Sequence, residues 1–246
     1  MRQITSLPYA VKKRLFWPRT CFMRWKFRGV QDSLRAMLEL HYYSPAIIDF
    51  LGATVLNPHV LHDAAIDENG VVLDVGAFTG KWAQTIVDRY NPTIYAFEPN
   101  PESFARLERK AATSPKIKPL QYGLADREAT VDFTLNGLGS SMYDERAENA
   151  EAPRIQVRMA AIDKVWKELA LGDVDLMKIN IEGAEFPLLA CMIGAGLLPR
   201  VDCFLIQFHE WHPGAHEKRR QIQSALSESH RQEWNYDFVW EKWVRK

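Results

Sequence analysis

Residues 71–80 read VVLDVGAFTG, and this stretch decides the fold that the sequence predicts. Residues 71–75 are apolar apart from Asp74, as in a parallel strand that is covered on both faces. Gly76 and Gly80 then mark a turn into a helix predicted over residues 81–90. Glycines in such a turn permit positive φ and let a ligand approach the backbone closely. Their GxxxG spacing differs from the GxGxxG of dinucleotide-binding folds.

The same pattern of strand, turn and helix continues along the chain. Further strands are predicted at residues 93–98, 117–122, 174–179 and 201–208, with additional strands at 130–135 and 155–159. Helices are predicted at residues 101–113, 184–192 and 217–229. The alternating run from Tyr236 to Val244 is predicted as the strand that ends the sheet. Repeated βα units with short connections predict an α/β fold with a doubly wound, mostly parallel sheet.

The first residues of the chain differ in composition from the rest. The 246 residues include 31 Lys and Arg and 31 Asp and Glu, so the net charge is zero. Residues 1–30 contain eight basic residues, six aromatic residues and no acid, which leaves a charge of −8 on the remainder. We expect a basic, aromatic arm with a helical extension at residues 1–60 and one α/β domain at residues 61–246. The arm is either a solvated face packed by its own aromatic residues or a segment that contacts an anionic partner or a membrane surface.

Composition also excludes several classes of protein. No apolar run reaches the roughly 18–20 residues that cross a bilayer, and the first residues lack the apolar core of a secretory signal. Cys21, Cys191 and Cys203 are odd in number and far apart, which favours a reducing compartment and gives no zinc pattern. Residues 31–246 are too acidic for a nucleic-acid partner. We expect a cytoplasmic protein, peripheral at the inner membrane face if the arm binds lipid.

Acidic and amide side chains follow the predicted strands where ligands bind in such sheets. Glu98 ends the second strand, 24 positions after Asp74, where an acid can accept from both ribose hydroxyls; the alternative is a helix cap. Asp126 follows the third strand and could accept from an adenine amine, or simply form a turn. Asn180 and Glu182 follow the strand at 174–179, where they face the ligand crevice or cap the next helix.

Together these features resemble the class I S-adenosylmethionine (SAM)-dependent methyltransferases, and more closely the FkbM family. The matching strings are VVLDVGAFTG (71–80), YAFEPNP (95–101), YGLAD (122–126), GSSMY (139–143), the stretch 158–166 around Asp163, and LMKINIEGAEFPLL (176–189). They cover about residues 70–210 in the family's order. The resemblance implies a Rossmann-like, seven-stranded sheet, a methyltransferase domain at residues 61–246, and SAM as methyl donor.

The resemblance also implies roles for individual residues. The methionine part and backbone of SAM would lie against Asp74, Gly76, Ala77 and Gly80. Ribose would bind Glu98 beside Pro99 and Asn100, and adenine would border Leu124, Ala125 and Asp126. Ser140 and Ser141 match a serine pair in a loop near the acceptor. Asn180 is a departure, because the family usually has Asp there, and Asn can neither carry the charge nor act as a general base.

Methyl transfer to a hydroxyl needs a group that accepts the proton. His209 follows the strand at 201–208 and has an ordinary pKa of about 6.5, so it is predicted as the base, with Glu182 as the second candidate. Trp211 could stack on a sugar ring, or pack in the core. The spacing of His209, Glu210 and His212 fits no standard metal pattern, so no metal is expected.

The sequence therefore predicts a SAM-dependent O-methyltransferase that acts on a sugar, a glycan precursor or a related natural product, with an acceptor that is anionic or lipid-linked if the arm binds it. Two alternatives stay open. Asn180 could mark a catalytically impaired SAM-binding module whose function is interaction. The chain could also be an NAD-dependent oxidoreductase, although the GxxxG spacing argues against this.

Overall fold

The computed structural model describes residues 44–134 and 154–246. The chain divides into two compact units, residues 1–60 and 61–246. In the first unit, helix α1 (Pro45–Leu56) begins after Ser44, whose side chain accepts a hydrogen bond from the Ile47 amide. The arm at residues 1–30 lies outside the described residues, as does the part of the predicted helical extension at residues 31–43.

The second unit alternates strands and helices as predicted. Its strands are β1 (Val71–Val75), β2 (Thr93–Phe97), β3 (Ile117–Leu120), β4 (Gly123–Ala125), β5 (Ala129–Thr134), β6 (Arg154–Ala161), β7 (Leu176–Ile179), β8 (Cys203–Ile206), β9 (His230–Tyr236) and β10 (Trp240–Arg245). Its α-helices are α2 (Lys81–Tyr90), α3 (Pro101–Ala111), α4 (Ile162–Glu168), α5 (Glu185–Gly194) and α6 (Ala215–Ser229), and a 3-10 turn spans Leu198–Arg200.

Seven of these strands form the main sheet, in the order β3-β2-β1-β7-β8-β10-β9. The first five strands in this order, β3, β2, β1, β7 and β8, pair in parallel, while β10 is antiparallel to β8 and β9. The predicted fold class, a mostly parallel seven-stranded sheet, is confirmed. The direction of the strand order reverses between β1 and β7, and ligands bind at such a switch point in open α/β sheets.

Helices pack on both faces of this sheet because successive strand residues point to opposite sides. Leu73 and Val75 belong to a buried cluster that includes residues of α4, α5 and α6. Val72, which precedes Leu73 and points to the opposite side, belongs to a second cluster with residues of α2 and α3. Burial on both faces explains why β1 is almost entirely apolar.

A second, three-stranded sheet has the order β4-β6-β5. The strands predicted at residues 130–135 and 155–159 are its antiparallel pair β5 and β6. The short strand β4 joins β6 in parallel. Residues 123–125 thus form a strand of their own, which was not predicted from the sequence.

The single C-terminal strand predicted from Tyr236 to Val244 is wrong. Tyr236 ends β9, Trp240 begins β10, and the chain reverses between them to form an antiparallel hairpin. Phe238 lies in this turn with a φ of 53°, a left-handed conformation that lies outside the β region. In the part of the chain that the structure describes, no helix is both long and apolar enough to cross a membrane.

Candidate active site

A cleft of about 190 Å³ lies at the carboxyl ends of β1, β2 and β7, at the switch point of the sheet. Its lining includes residues from the turns after these strands and from the second sheet: Gly76, Phe78, Glu98, Pro99, Asn100, Ser103, Gly123, Leu124, Phe133, Met159, Asn180, Ile181, Glu182 and Ala184. Seven of the residues predicted from the sequence are among them, namely Gly76, Glu98, Pro99, Asn100, Leu124, Asn180 and Glu182.

Gly76 lets the turn after β1 lie directly against the end of β7. Its φ is +81°, and a Cβ at this position would lie 2.1 Å from the carbonyl oxygen of Asn180. The amides of Gly76 and Ala77 both donate to the carbonyl of Phe97, at 3.1 and 3.0 Å. The turn is therefore fixed to β2 on one side and to β7 on the other, and only glycine fits there.

Glu98 is held in the cleft by the backbone on either side of it. One carboxylate oxygen accepts from the Phe78 amide at 2.8 Å, and the other from the Asn100 amide at 2.9 Å. Burial raises the pKa of Glu98, and these two hydrogen bonds oppose the rise. A carboxylate has about four acceptor positions, so each oxygen keeps one for a further donor.

Asp74 supports the turn after β1 without lining the cleft. It is fully buried, and one of its oxygens accepts from the Lys178 ammonium at 2.9 Å. Lys178 also donates to the carbonyl of Gly76 at 2.8 Å, so this buried ion pair ties the turn to β7. Removing one partner of such a pair leaves an uncompensated charge in the interior. Lys178 is a structural residue of the site that was not predicted from the sequence.

His209 lies between two carboxylates. It follows β8, and its Nδ1 is 3.0 Å from Glu185 while its Nε2 is 3.5 Å from Glu182. Burial alone would lower the pKa of His209, but the hydrogen bonds and negative charges of Glu182 and Glu185 outweigh it and raise the pKa to about 9. The prediction from the sequence that His209 has an ordinary pKa of about 6.5 is therefore wrong.

At neutral pH His209 is an imidazolium with a proton on each nitrogen, so it has no lone pair with which to accept another. Glu182 lines the cleft, as does Glu98, whose oxygens already accept hydrogen bonds from two backbone amides. The φ of 52° at Glu182 is a strained conformation for a residue other than glycine. Such strain is common at functional positions.

The sequence relates this site to a known family. Residues 74–238 match the family described as "Methyltransferase FkbM domain". The chain belongs to this family. The match runs from the acid of β1 to the turn of the C-terminal hairpin, so it includes every described element that contributes to the cleft. Membership in the FkbM family makes SAM the methyl donor of this domain.

Two curated relatives are named as methyltransferases, one of a hexuronic acid and one as a 2-O-methyltransferase. The chain is 24% identical to "Hexuronic acid methyltransferase AglP" of Haloferax volcanii, over 58% of this chain and 57% of the relative. It is also 24% identical to "2-O-methyltransferase NoeI" of Sinorhizobium fredii, over 49% of this chain and 56% of the relative. The chain thus spans little more than half the length of these relatives.

Among solved structures, the fibrillarin of Aeropyrum pernix "in complex with natively bound S-adenosyl-L-methionine" is similar at a TM-score of 0.44 and 11% identity. The similarity covers 80% of this chain and 74% of that one. The fold assignment rests on the strand order above.

The residues of the FkbM cleft fit SAM. Each oxygen of Glu98 keeps one acceptor position, which suits ribose hydroxyls, and the turn at Gly76 lines the same cleft. Oδ1 of Asn180 is buried and has no hydrogen-bond partner among residues 44–134 and 154–246. A buried acceptor without a donor is costly, so this oxygen suits a donor group of a bound ligand.

Besides Asp74 and Ala77, three residues assigned to SAM lie outside the cleft lining. Gly80 precedes α2, and a Cβ there would meet Leu107 of α3 at 2.7 Å. Ala125 is buried in the small sheet. The carboxylate of Asp126 pairs with Arg127 at 3.2 Å. Their contacts with the cofactor, like those of Asp74 and Ala77, stay predictions.

Of the residues predicted to bind the acceptor, Trp211 is described and does not line the cleft. Trp211 lies beyond β8, with its ring 6.0 Å from that of His209. Ser140 and Ser141 lie outside the described residues. In the described part of the chain, no group of three His, Cys, Asp or Glu residues is placed to hold a metal ion.

Several residues of the site were missed by the sequence argument. Phe78 lines the cleft, is 39% exposed, and has a φ of 51°. Phe133 and Met159 close the cleft from the small sheet. Phe78 could have been found, because it stands inside the GxxxG turn. Phe133 and Met159 reach the cleft through the fold alone, so no local signal marks them.

Proposed function

We propose that this domain transfers a methyl group from SAM to a hydroxyl of a sugar or glycan precursor. One observation carries the proposal: the carboxylate of Glu182 lies in the cleft of an FkbM domain, backed by the imidazolium of His209. The names of the two curated relatives, a hexuronic acid methyltransferase and a 2-O-methyltransferase, support a sugar as acceptor.

SAM, when bound, supplies an electrophilic methyl group on a sulfonium. The chain's own task is to orient the acceptor hydroxyl and to take its proton, because a sugar hydroxyl is a poor nucleophile at neutral pH. Glu182 accepts this proton. His209 holds the carboxylate of Glu182 in place through Nε2. This assignment reverses the order predicted from the sequence, which put His209 before Glu182.

The two alternatives are less well supported. Membership in the FkbM family argues against an NAD-dependent oxidoreductase. An impaired interaction module was suggested by Asn180 alone, but the proposed base is Glu182, and Asn180 keeps an acceptor oxygen at the cleft. Asn180→Asp tests the point: a gain in turnover of about ten-fold or more would favour impairment, and turnover within about three-fold supports an active enzyme.

The test is a methyl-transfer assay with labelled SAM and a panel of hexuronic acid oligosaccharides and neutral glycans. We expect label and the mass of one methyl group on a sugar product. Glu182→Gln should lower kcat by about 100-fold or more, the typical contribution of a general base, and leave the affinity for S-adenosylhomocysteine (SAH) unchanged. The matched control is Glu210→Gln, whose side chain is 63% exposed and should leave kcat unaltered.

Two results would contradict the proposal. If the wild-type protein binds SAH but transfers label to none of the sugars, the acceptor is not a sugar. Undiminished kcat in Glu182→Gln would mean that another group takes the proton.

We further propose that the acceptor is anionic or lipid-linked and that residues 1–30, with their eight basic residues, contact it at the inner membrane face. Deleting these residues should raise the KM for the acceptor, weaken binding to anionic liposomes, and leave SAH affinity unchanged. An unchanged KM and unchanged liposome binding would exclude this part of the proposal.

A further inference from the structure

The buried carboxylate of Glu185 makes contacts that its position in a helix does not explain. Glu185 begins α5 and is fully buried. One of its oxygens accepts from the Gly183 amide at 2.8 Å, which secures the strained turn at Glu182 and Gly183. A carboxylate in the first turn of a helix is favourable by itself. That accounts for an acid at this position, but not for the contacts of its other oxygen.

The other oxygen of Glu185 holds His209, 24 residues away. It accepts from the backbone amide of His209 at 2.8 Å and lies 3.0 Å from Nδ1 of the ring. Because a single oxygen holds both the backbone and the ring, the ring cannot rotate without losing a charge-assisted hydrogen bond. The orientation that results leaves Nε2 facing Glu182 at 3.5 Å.

We infer that Glu185 is a positioning residue, which fixes the His209 ring so that its Nε2–H holds the cleft carboxylate of Glu182 ready to accept the acceptor's proton. This inference rests on the proposed function. In the reaction the acceptor's O–H bond breaks, its proton goes to a carboxylate oxygen of Glu182, and its oxygen bonds to the methyl carbon as the carbon–sulfur bond breaks. Glu185 and His209 keep their own protonation states throughout.

The charged groups that act on His209 are Glu182, from the turn after β7, and Glu185, from α5. Trp211, whose ring is 6.0 Å away, is uncharged. Both carboxylates raise the pKa of His209, so the wild-type rate should fall only as the pH rises through about 9. Without the charge of Glu185, the pKa of His209 moves toward its ordinary value of about 6.5. The alkaline fall in rate then begins below pH 8.

The experiment compares kcat against pH for the wild type and Glu185→Gln. At pH 8 the variant should lose between about 5-fold and 30-fold, the drop in the protonated fraction of His209, and at pH 6 less than about two-fold. Titration of His209 by NMR, without acceptor, should show the same lowering of the pKa. A loss by the same factor at every pH, with an unchanged His209 titration, would mean that Glu185 is merely structural and would overturn the inference.

A second variant keeps the inference testable if Glu185→Gln does not fold. His209→Gln removes the titrating ring but retains Glu185 and its bonds to two backbone amides. Its rate should be low and should lack the alkaline fall near pH 9; an alkaline fall at the wild-type pH would overturn the inference. If the wild type transfers no methyl group but its His209 titrates near pH 9, the proposed function is contradicted and the placement of His209 is not.

Discussion

At the scale of single residues, Glu98 shows how one carboxylate can serve both the turn and a ligand. Each oxygen takes one backbone amide, from Phe78 and from Asn100, and keeps one acceptor position. The backbone amides fix the direction in which the remaining lone pairs point. A ribose with two adjacent hydroxyls would use both of these positions at once.

Glu98→Gln should therefore weaken SAH binding by about ten-fold or more, because it replaces one acceptor oxygen by an NH₂ group that cannot accept. Isothermal titration calorimetry with SAH measures the effect. The matched control is Glu102→Gln, an exposed residue of α3 paired with Arg106, which should bind SAH like the wild type. Wild-type affinity in Glu98→Gln would exclude Glu98 from the ribose site.

At the scale of secondary structure, local signals predict the elements that line the switch point. The apolar run of β1, the glycine turn at Gly76 and the start of α2 at Lys81 appear in the structure where the sequence puts them. The reason is physical: a doubly covered strand and a positive-φ turn each constrain the residue types at their own positions.

Elements fixed by distant contacts could not be predicted in this way. The alternation of Tyr236, Phe238 and Trp240 is typical of a strand, yet Phe238 turns the chain and lies under the guanidinium of Arg219 at 4.7 Å. Glu185 fits a helix start in the sequence, but its main partner is His209. In both cases a contact far along the chain decides the conformation, and a single sequence does not display it.

The C-terminal hairpin depends on the buried carboxylate of Glu241. It is 1% exposed and joins α6, β9 and β10 by accepting from Arg219, Gln223, Gln232 and Trp243. Glu241→Gln leaves the buried Arg219 with only the exposed Asp237 as a countercharge, so we expect the free energy of unfolding to fall by about 2–3 kcal/mol.

Urea unfolding measures this loss. The control is Glu233→Gln, which removes an edge-strand carboxylate paired with Lys242 and is expected to cost less than about 1 kcal/mol. Equal losses in the two variants would mean that the network around Glu241 contributes no more than a surface pair.

At the scale of the whole molecule, the zero net charge is the sum of a basic arm and an acidic remainder. Several acids of the remainder are structural. Asp74, Glu98, Glu185 and Glu241 are all buried, and each accepts hydrogen bonds from charged side chains or from backbone amides. Folding therefore moves these carboxylates from water into the interior, which the net charge of zero does not show. The stability of the domain must then depend on pH.

His209 gives the sign of that dependence. Its folded pKa of about 9 lies above the ordinary value of about 6.5, so the folded state binds the proton more tightly. This contribution to stability is fully present below about pH 6.5 and is lost as the pH rises through about 9, with an upper bound of about 3 kcal/mol. We expect the free energy of unfolding, from urea titrations at several pH values, to decline across this window. His209→Gln should remove the part of the decline that His209 causes. Burial also raises the pKa of the Cys203 thiol, but its effect on stability is the same in the wild type and in the variant. Parallel curves for the two proteins would show that His209 is not held as an imidazolium between Glu182 and Glu185.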